Sequence, residues 1–542
     1  MEADYIVVGA GSAGCVLADR LSSDRQNRVL VVEAGGDDSS FWITTPIGYG
    51  KLFFDRSVNW AYRTEADPGV NGQTGYWPRG KVLGGSSSIN AMVCIRGRAE
   101  DYEDWALATK SKDWGADAMA RAFRSIDDCA EGESDWRGRG GAVPIRSMEA
   151  EAHPISQSFI RACAEIGIPP NPDFNGERQE GAGFYQINTR KGKRVSAATA
   201  FLRPAMQRSN VTVLKKALVK ALLFEGRRCT GVVIDRNGRE ERYVARREVI
   251  LAAGAIETPK LLQLSGIGDA EQSRAFGIPV RVDNRHVGGN LQDHFGLNYF
   301  YRSRLPTLNQ ELSPWHRRIW SGIRYLATRG GPLAMSVNHA GAFFRSSAKR
   351  PLPNMQLYLQ LITTLEAQSD RRPLLAPDPY PAFALGLSNI RPKSRGCLML
   401  AGADPRAAPK IYPNTYSDDA DLEEMLEAVK LLRRLADTAP LSEIVEREVL
   451  PGPSVQSDSE LVSDIRLRSR TVFHPCGTCA MGADPDNSVL TPQLRVRGVD
   501  GLRVADASAF PNIVSGNLNL PVMMLAMRAA DIILSDRNRG SA

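Results

Sequence analysis

The chain has 542 residues, 43% of them hydrophobic and 24% charged, a globular composition in a chain longer than one hydrophobic core usually supports, so two domains are expected, free to interleave. Its 68 basic and 61 acidic residues leave a net charge of +7 on a mixed surface, which excludes the concentrated basic footprint of a nucleic-acid-binding protein. No run of about 18 apolar residues predicts a membrane-spanning helix.

The opening "MEADYIVVGAG" runs straight into a strand pattern, without the basic and apolar regions of a secretory signal. The eight cysteines are scattered and read as reduced thiols. A cytoplasmic protein is expected, with peripheral contact at the inner face of a membrane left open. "DYIVVGAGSAGCVLADRLS" predicts a strand, a glycine turn and a helix, and "RVLVVEAGG" a second strand, so a βαβ unit opens the chain. Residues 66–100 are turn-rich. Helical periodicity appears near 115–128 and in "PISQSFIRACAEIGI". "VTVLKKALVKALLFEGRRCTGVVIDRNG" alternates like strands joined by a hairpin, and "REVILAAGAIETPKLLQLSGIG" reads as a strand running into a helix. From about 296 to 450, "NHAGAFFRS", "PNMQLYLQLITT" and "FALGLSNIRPKSRGCLMLAG" predict long antiparallel strands, with one amphipathic helix, "DADLEEMLEAVKLLRRLAD". After 455 the strand–helix style returns and ends in "LPVMMLAMRAADIILSD".

Gly9, Gly11 and Gly14, with Ser12 and Ala13 between the last two, form a GxGxxG between strand and helix. The first glycine permits the tight turn, the second the approach of a pyrophosphate, and the third close helix–strand packing. The helix N-terminus offers N–H groups and partial positive charge to phosphates. Glu33, followed by Ala34, ends the second strand where a carboxylate can accept ribose hydroxyl protons. The pattern predicts dinucleotide binding without separating FAD from NAD.

"GKVLGGSSSIN" (80–90), "GAIETPKLLQLSGIG" (254–268), "VGGNLQDH" (287–294), "FHPCGTCAMG" (473–482) and "LRVADASAFPNIVSGNLNLP" (502–521) together resemble the glucose–methanol–choline (GMC) oxidoreductases, in the family's order and across nearly the whole chain. "WPRGKVLGGSSSINAM", "DFNGERQEGAGFYQ" and "RPKSRG" carry a closer likeness to the bacterial choline and alkanol dehydrogenase branch. The resemblance implies an α/β fold combined with an antiparallel sheet: a Rossmann-like FAD-binding domain (1–150, 196–295 and 455–542) interleaved with a substrate domain (151–195 and 296–454). It implies FAD, a small-molecule alcohol as substrate, and a quinone, another acceptor or O2 as the destination of the electrons.

Some relatives attach the flavin through a histidine where this chain has Ile89, so noncovalent FAD is expected. The resemblance places Asn90, Ala91, Met92 and Val93 near the flavin, with Gly80, Val82, Gly85 and Ser88 approaching the cofactor. Trp60 matches a tryptophan that touches FAD. Val219 is expected at the adenine, Ala253 and Gly254 at the ADP portion, and Asp506 and Ala507 at the flavin or phosphates. Phe473 is expected beside the ring, and Asn519, Pro521 and Val522 where the last helix begins.

His474 sits in "TVFHPCGTCAMG" beside Cys476 and Cys479 at CxxC spacing. A zinc site or a redox dithiol is the alternative reading. However, His474 lies only two residues before Cys476, no second cysteine pair follows, and a proline precedes Cys476. The favoured reading is a general base: oxidising an alcohol requires loss of a hydroxyl proton and of an α-hydride, and a neutral imidazole suits the first. His153, His286, His294, His316 and His339 read by default as core histidines satisfied by hydrogen bonds. The register of "SGNLNLP" points to Asn517 as the partner of His474, with Asn519 the competitor. Tyr358, Leu359 and Gln360 are candidate pocket residues. No carboxylate-plus-aromatic arrangement suited to choline is recognisable. The expected function is FAD-dependent oxidation of a primary alcohol to an aldehyde with a non-oxygen acceptor. The rivals are an oxidase producing H2O2, a hydroxynitrile lyase-like enzyme and a non-catalytic flavin protein.

Overall fold

The computed structural model describes residues 2–365 and 376–540. Two seven-stranded sheets organise it. The first begins with the strand Glu2–Val8, whose last six residues are all buried. On one side it pairs in parallel with Val29–Val32, which pairs in parallel with Val211–Leu214. On the other it pairs in parallel with the C-terminal half of Arg239–Leu251, and Leu502–Val504 adds to that same half. Arg239–Leu251 also closes an antiparallel meander with Arg228–Arg236 and Ala217–Glu225. The βαβ unit expected at the start of the chain is therefore present, with the helix Ser12–Leu21 between its strands.

That helix is apolar on nearly every side because it is covered twice. Ala13, Gly14, Cys15, Val16, Leu17, Ala18 and Leu21 are buried, and the last helix, Asn519–Gly540, packs against it. A side-chain bond joins the two helices where they begin: Ser12 Oγ donates to Asn519 Oδ1 at 2.8 Å. At Gly14 a Cβ would stand 1.9 Å from the Gly9 carbonyl oxygen, so only glycine lets the helix sit this close to the first strand.

The second sheet is antiparallel throughout, in the order Val445–Leu450, Phe295–Ser303, Ala382–Asn389, Met355–Gln360, Asn338–Phe344, Gly181–Phe184. The helix Asp419–Ala436 packs on it with Met425, Ala428, Val429, Leu432 and Leu435 buried. Two sequence expectations differ here. "FALGLSNIRPKSRGCLMLAG" is not one strand: it ends at Asn389, and Cys397–Met399 pairs separately with Lys410–Tyr412. Arg391 turns aside to Asp101 and Asp104, and Pro392 has no N–H to continue a ladder. The region also holds a further long helix, Trp315–Thr328, which the sequence reading did not separate from the loops.

A short strand, Arg470–Thr471, pairs antiparallel with Phe295 and Gly296 at the edge of this sheet. The pairing continues irregularly: Val472 N–H donates to the His294 carbonyl (2.9 Å), and Gln292 and Cys476 exchange backbone bonds (3.0 and 2.9 Å). Residues 292–296 and 470–476 thus run side by side, and His474 is held against His294.

Candidate active site

A cavity of about 530 Å³ runs from the first βαβ turn to the second sheet. Its nucleotide end is lined by Gly9, Gly11, Ser12, Ala13, Glu33 and Ala34. Gly11 is the N-cap of its helix and supplies no side-chain cap. The first-turn N–H groups are therefore available to an anion. A Cβ on Gly11 would meet no atom nearer than Ala252 O at 3.9 Å, so the space above it is open to a ligand.

Glu33 accepts from Ala10 N–H (2.9 Å) and Gly35 N–H (2.7 Å), one per oxygen, which leaves lone pairs for hydroxyl donors. Burial pushes its carboxyl up to about 7, against the pull of those two N–H groups and of Lys81. A hydroxyl-bearing ligand donating to Glu33 favours the ionised form. The "GKVLGG" loop folds over this turn: Gly84 N–H donates to Ala10 O at 2.7 Å, and a Cβ on Gly85 would stand 2.7 Å from the Gly11 Cα. Free helix-end donors, an open cradle and a buried carboxylate with spare lone pairs fit a dinucleotide.

Further along, Trp60, Gly80, Gly85, Asn90, Ala91, Met92 and Val93 line the cavity, as do Val219, Ala253, Gly254, Ala507, Asn519 and Val522. The Trp60 ring stacks on Tyr62 and carries the Lys81 ammonium 4.5 Å from its centroid. Asn90 Oδ1 accepts from Met92 N–H and Arg194, which holds Met92 at φ +65°. Four expected residues lie off the cavity wall. Gly14 serves helix packing, Val82 bridges to Gly36, Ser88 Oγ donates to Leu83 O, and Pro521 is buried in the last helix. Asp506 reaches the wall, but its carboxylate already accepts from Gly254 N–H, the Thr258 hydroxyl, and Ser508 N–H and hydroxyl. It fixes a joint between two cavity-lining loops. Tyr358 and Gln360 line the pocket, whereas Leu359 is buried in the core beneath it.

At the other end stand Phe473, His474 and Asn517, with Asn298, Val337 and Asn338. His474 N–H donates to Asp293 Oδ1 at 2.7 Å, and the Thr471 hydroxyl donates to Asp293 Oδ2. Burial pushes Asp293 up to about 7, opposed by those donors and by the nearby Arg79 charge. Phe473 sits at φ +69°, a conformation side chains rarely adopt. It is pinned on both sides, its N–H by the Thr471 hydroxyl (2.8 Å) and its carbonyl by Arg79.

The ring orientations follow from proton accounting. His294 Nε2 lies 3.0 Å from the Ile390 carbonyl oxygen, which can only accept, so Nε2 carries a proton. Burial depresses His294 to about 4, so it is neutral and its Nδ1 is a lone pair. His474 Nδ1, 2.9 Å away, must then donate to it. His474 is held well below its usual value, by burial first and then by His294 and Arg79, so it too is neutral and its Nε2 is the bare nitrogen. Asn517 Nδ2 donates toward Nε2 at 3.3 Å, while Asn517 Oδ1 accepts from Gln356. Asn519 is committed to Ser12 instead. The result is a desolvated base, with its lone pair facing the cavity and an amide donor beside it.

Two of these residues were missed or underrated from sequence. His294, expected to be a core histidine satisfied by hydrogen bonds, is one, and one of its partners is His474. Its only sequence signal is its place in "VGGNLQDH". His286 and His316, expected alike, are instead exposed, each lying on a surface segment. Arg79, buried and depressed to about 10, lines the cavity one residue before the glycine signature. Cys476 and Cys479 are wholly buried in the core of the first sheet, and burial raises both thiols. Among the described residues no three His, Cys, Asp or Glu side chains converge as metal ligands.

The sequence profile described as GMC oxidoreductase matches residues 3–296 with its N-terminal part and 392–526 with its C-terminal part. An alcohol dehydrogenase (acceptor) of Pseudomonas putida is 40% identical over 98% of this chain and 95% of its own. Human mitochondrial choline dehydrogenase is 39% identical over 98% and 90%. Among solved structures, pyridoxine 4-oxidase from Mesorbium loti superposes with a TM-score of 0.88 at 31% identity, covering 98% of each chain. A formate oxidase superposes with a TM-score of 0.92 at 27% identity, covering 99% of each.

The two glycines of the turn are expected to separate. Gly14→Ala lowers the melting temperature of the FAD-free protein, because its methyl meets backbone. Gly11→Ala leaves that temperature unchanged and weakens FAD binding, read by fluorescence titration. Removing the acceptor of His474 Nδ1–H with His294→Leu is expected to leave FAD content intact and to slow anaerobic flavin reduction by alcohol by about tenfold or more, through loss of the reactive tautomer.

Proposed function

The chain belongs to the GMC oxidoreductases and is an FAD-dependent oxidoreductase acting on CH–OH groups, and from that premise we propose that it oxidises an uncharged primary alcohol to an aldehyde, with His474 as the base. The observation that carries this reading is the bare Nε2 of His474, fixed through His294 by the Ile390 carbonyl. A substrate oxygen beside it donates its proton to Nε2 and accepts from Asn517 Nδ2–H, which steadies the developing alkoxide. FAD bound along the cavity, noncovalently since Ile89 offers no nucleophile at the wall, supplies the acceptor for the carbon-bound hydrogen. The partial positive charge of the last helix's N-terminus, where Asn519 and Val522 meet the cavity, favours negative charge arriving there.

The wall supports an uncharged substrate over a cationic one. Around His474 it presents Asn298, Val337, Asn338, Tyr358, Gln360 and Val472, none of them a carboxylate. The wall's acids are Glu33, Glu257 and Asp506, and each already holds donors, Glu257 from Tyr62 and Lys260. A quaternary ammonium seeks aromatic faces backed by negative charge. The reading thus follows the P. putida relative rather than the human one. That relative's name also supports a non-oxygen electron acceptor. The oxidase titles of two solved neighbours supply the second reading, return of electrons to O2.

An anaerobic panel tests the proposal: a neutral primary alcohol should bleach the bound flavin, and choline should do so far more slowly. Absence of bleaching by any alcohol would point to non-redox chemistry, and peroxide formation matching dye reduction would favour the oxidase. His474→Ala is expected to slow bleaching by roughly 10²- to 10⁴-fold with FAD retained. In the wild type the neutral base is present above its depressed pKa. The rate should therefore hold from pH 8 down through 6.5 and fall only in more acidic buffer, as His474 takes up a proton. Acid or heat should release the flavin into the supernatant; flavin left on the precipitated chain would show a covalent link.

A further inference from the structure

The helix Trp315–Thr328 faces the wrong way for a helix that ends in water. Of its fourteen residues only Ser321 and Tyr325 are buried. Trp315 and Trp320 are 69% and 66% exposed, and Ile319, Ile323 and Leu326 are each at least half exposed. At about 100° per residue, Trp315, Ile319, Ile323 and Leu326 share one face, with Trp320 at its border. Arg317 and Arg324 flank that face on one side and Arg318 on the other, all exposed. No Asp or Glu occurs between Glu311 and Glu366, while seven Arg and Lys do. Among the described residues none of Arg317, Arg318 and Arg324 is ion-paired. Phe41, 44% exposed, meets the buried side of this helix at Tyr325, edge-on at 6.2 Å.

We propose that this helix is a docking surface for an anionic phospholipid bilayer, lying in its interface. The composition selects the occupant. Tryptophan rings settle at the boundary between headgroups and acyl chains, Ile and Leu enter the apolar layer, and arginines on both flanks meet lipid phosphates. A second copy of the chain would bring the same unpaired arginines face to face. No helix of the described residues is long and apolar enough to cross a membrane, so the contact is parallel to its surface. The chain leads from this helix and from Phe41 beside it into two walls of the active cavity, from Phe41 to Tyr49 and Phe53, and from Thr328 to Val337 and Asn338. Docking therefore sets the bilayer against segments that run on into the cavity walls. The inference stands apart from the identity of the substrate.

The test is co-sedimentation of the FAD-loaded protein with vesicles of phosphatidylcholine alone or mixed with phosphatidylglycerol. The wild type should pellet with the mixed vesicles at least about tenfold more than with phosphatidylcholine, and high salt should release it. Trp315→Ser with Trp320→Ser, and separately Arg317→Glu with Arg318→Glu, should each abolish pelleting. Both variants should keep the wild-type melting temperature and dye-linked alcohol oxidation in solution, since these side chains touch neither core nor cavity. Wild type that stays in the supernatant with anionic vesicles, or variants that pellet like wild type, would overturn the proposal. So would a dimer in size-exclusion chromatography that the tryptophan variant splits, because a second copy would then cover the face.

Discussion

One carbonyl group, that of Ile390, sets the protonation of the catalytic end of the cavity. It can only accept, so it fixes the proton on His294; His294 then fixes the proton on His474 and leaves one nitrogen bare. The arrangement works because the pair is dry. In water each imidazole would exchange tautomers and charge; here burial keeps both neutral, and three of the four ring nitrogens are tied to the Ile390 carbonyl or to each other. The strand-like pairing of residues 292–296 with 470–476 brings the rings together, and Asp293 ties the backbone of one segment to the other. The left-handed Phe473 is the local cost, of order 1–3 kcal/mol, offset by bonds to Thr471 and Arg79 on either side.

Where backbone geometry dictates residue type, the fold was legible in the sequence. Gly9 and Gly14 are glycine because carbonyl groups lie where a Cβ would go, and Gly85 because it rests on Gly11. These requirements leave a local pattern that composition cannot mimic. The strands of the second sheet were legible as long apolar runs, since Ala382–Asn389 and most of Asn338–Phe344 and Met355–Gln360 are buried, as was the buried stripe of Asp419–Ala436. His474 and Asn517 emerged through motif register, since nothing within either segment reveals the other.

What stayed hidden depends on partners far away in the chain. His294 and His474 are 180 residues apart, and a histidine that accepts from another histidine leaves no mark on its neighbours. The resemblance placed Asp506 at the flavin or phosphates; its carboxylate accepts from Gly254, Thr258 and Ser508, partners that its own segment only partly reveals. Trp315–Thr328 escaped because periodicity is ordinarily read as a buried stripe, and here the apolar side points outward.

The first sheet draws on both ends of the chain. Glu2–Val8 lies beside Arg239–Leu251, whose other neighbour, Leu502–Val504, is made near the end of synthesis, and Ser12–Leu21 is covered by the final helix. At about 5–20 residues per second, this apolar helix waits on the order of a minute for the segment that shields it. The nucleotide-binding turn is thus translated about 500 residues before the helix that encloses it. Assembly of the site is a late event, and until Asn519–Gly540 has left the ribosome the nascent chain carries Ser12–Leu21 with one apolar side uncovered.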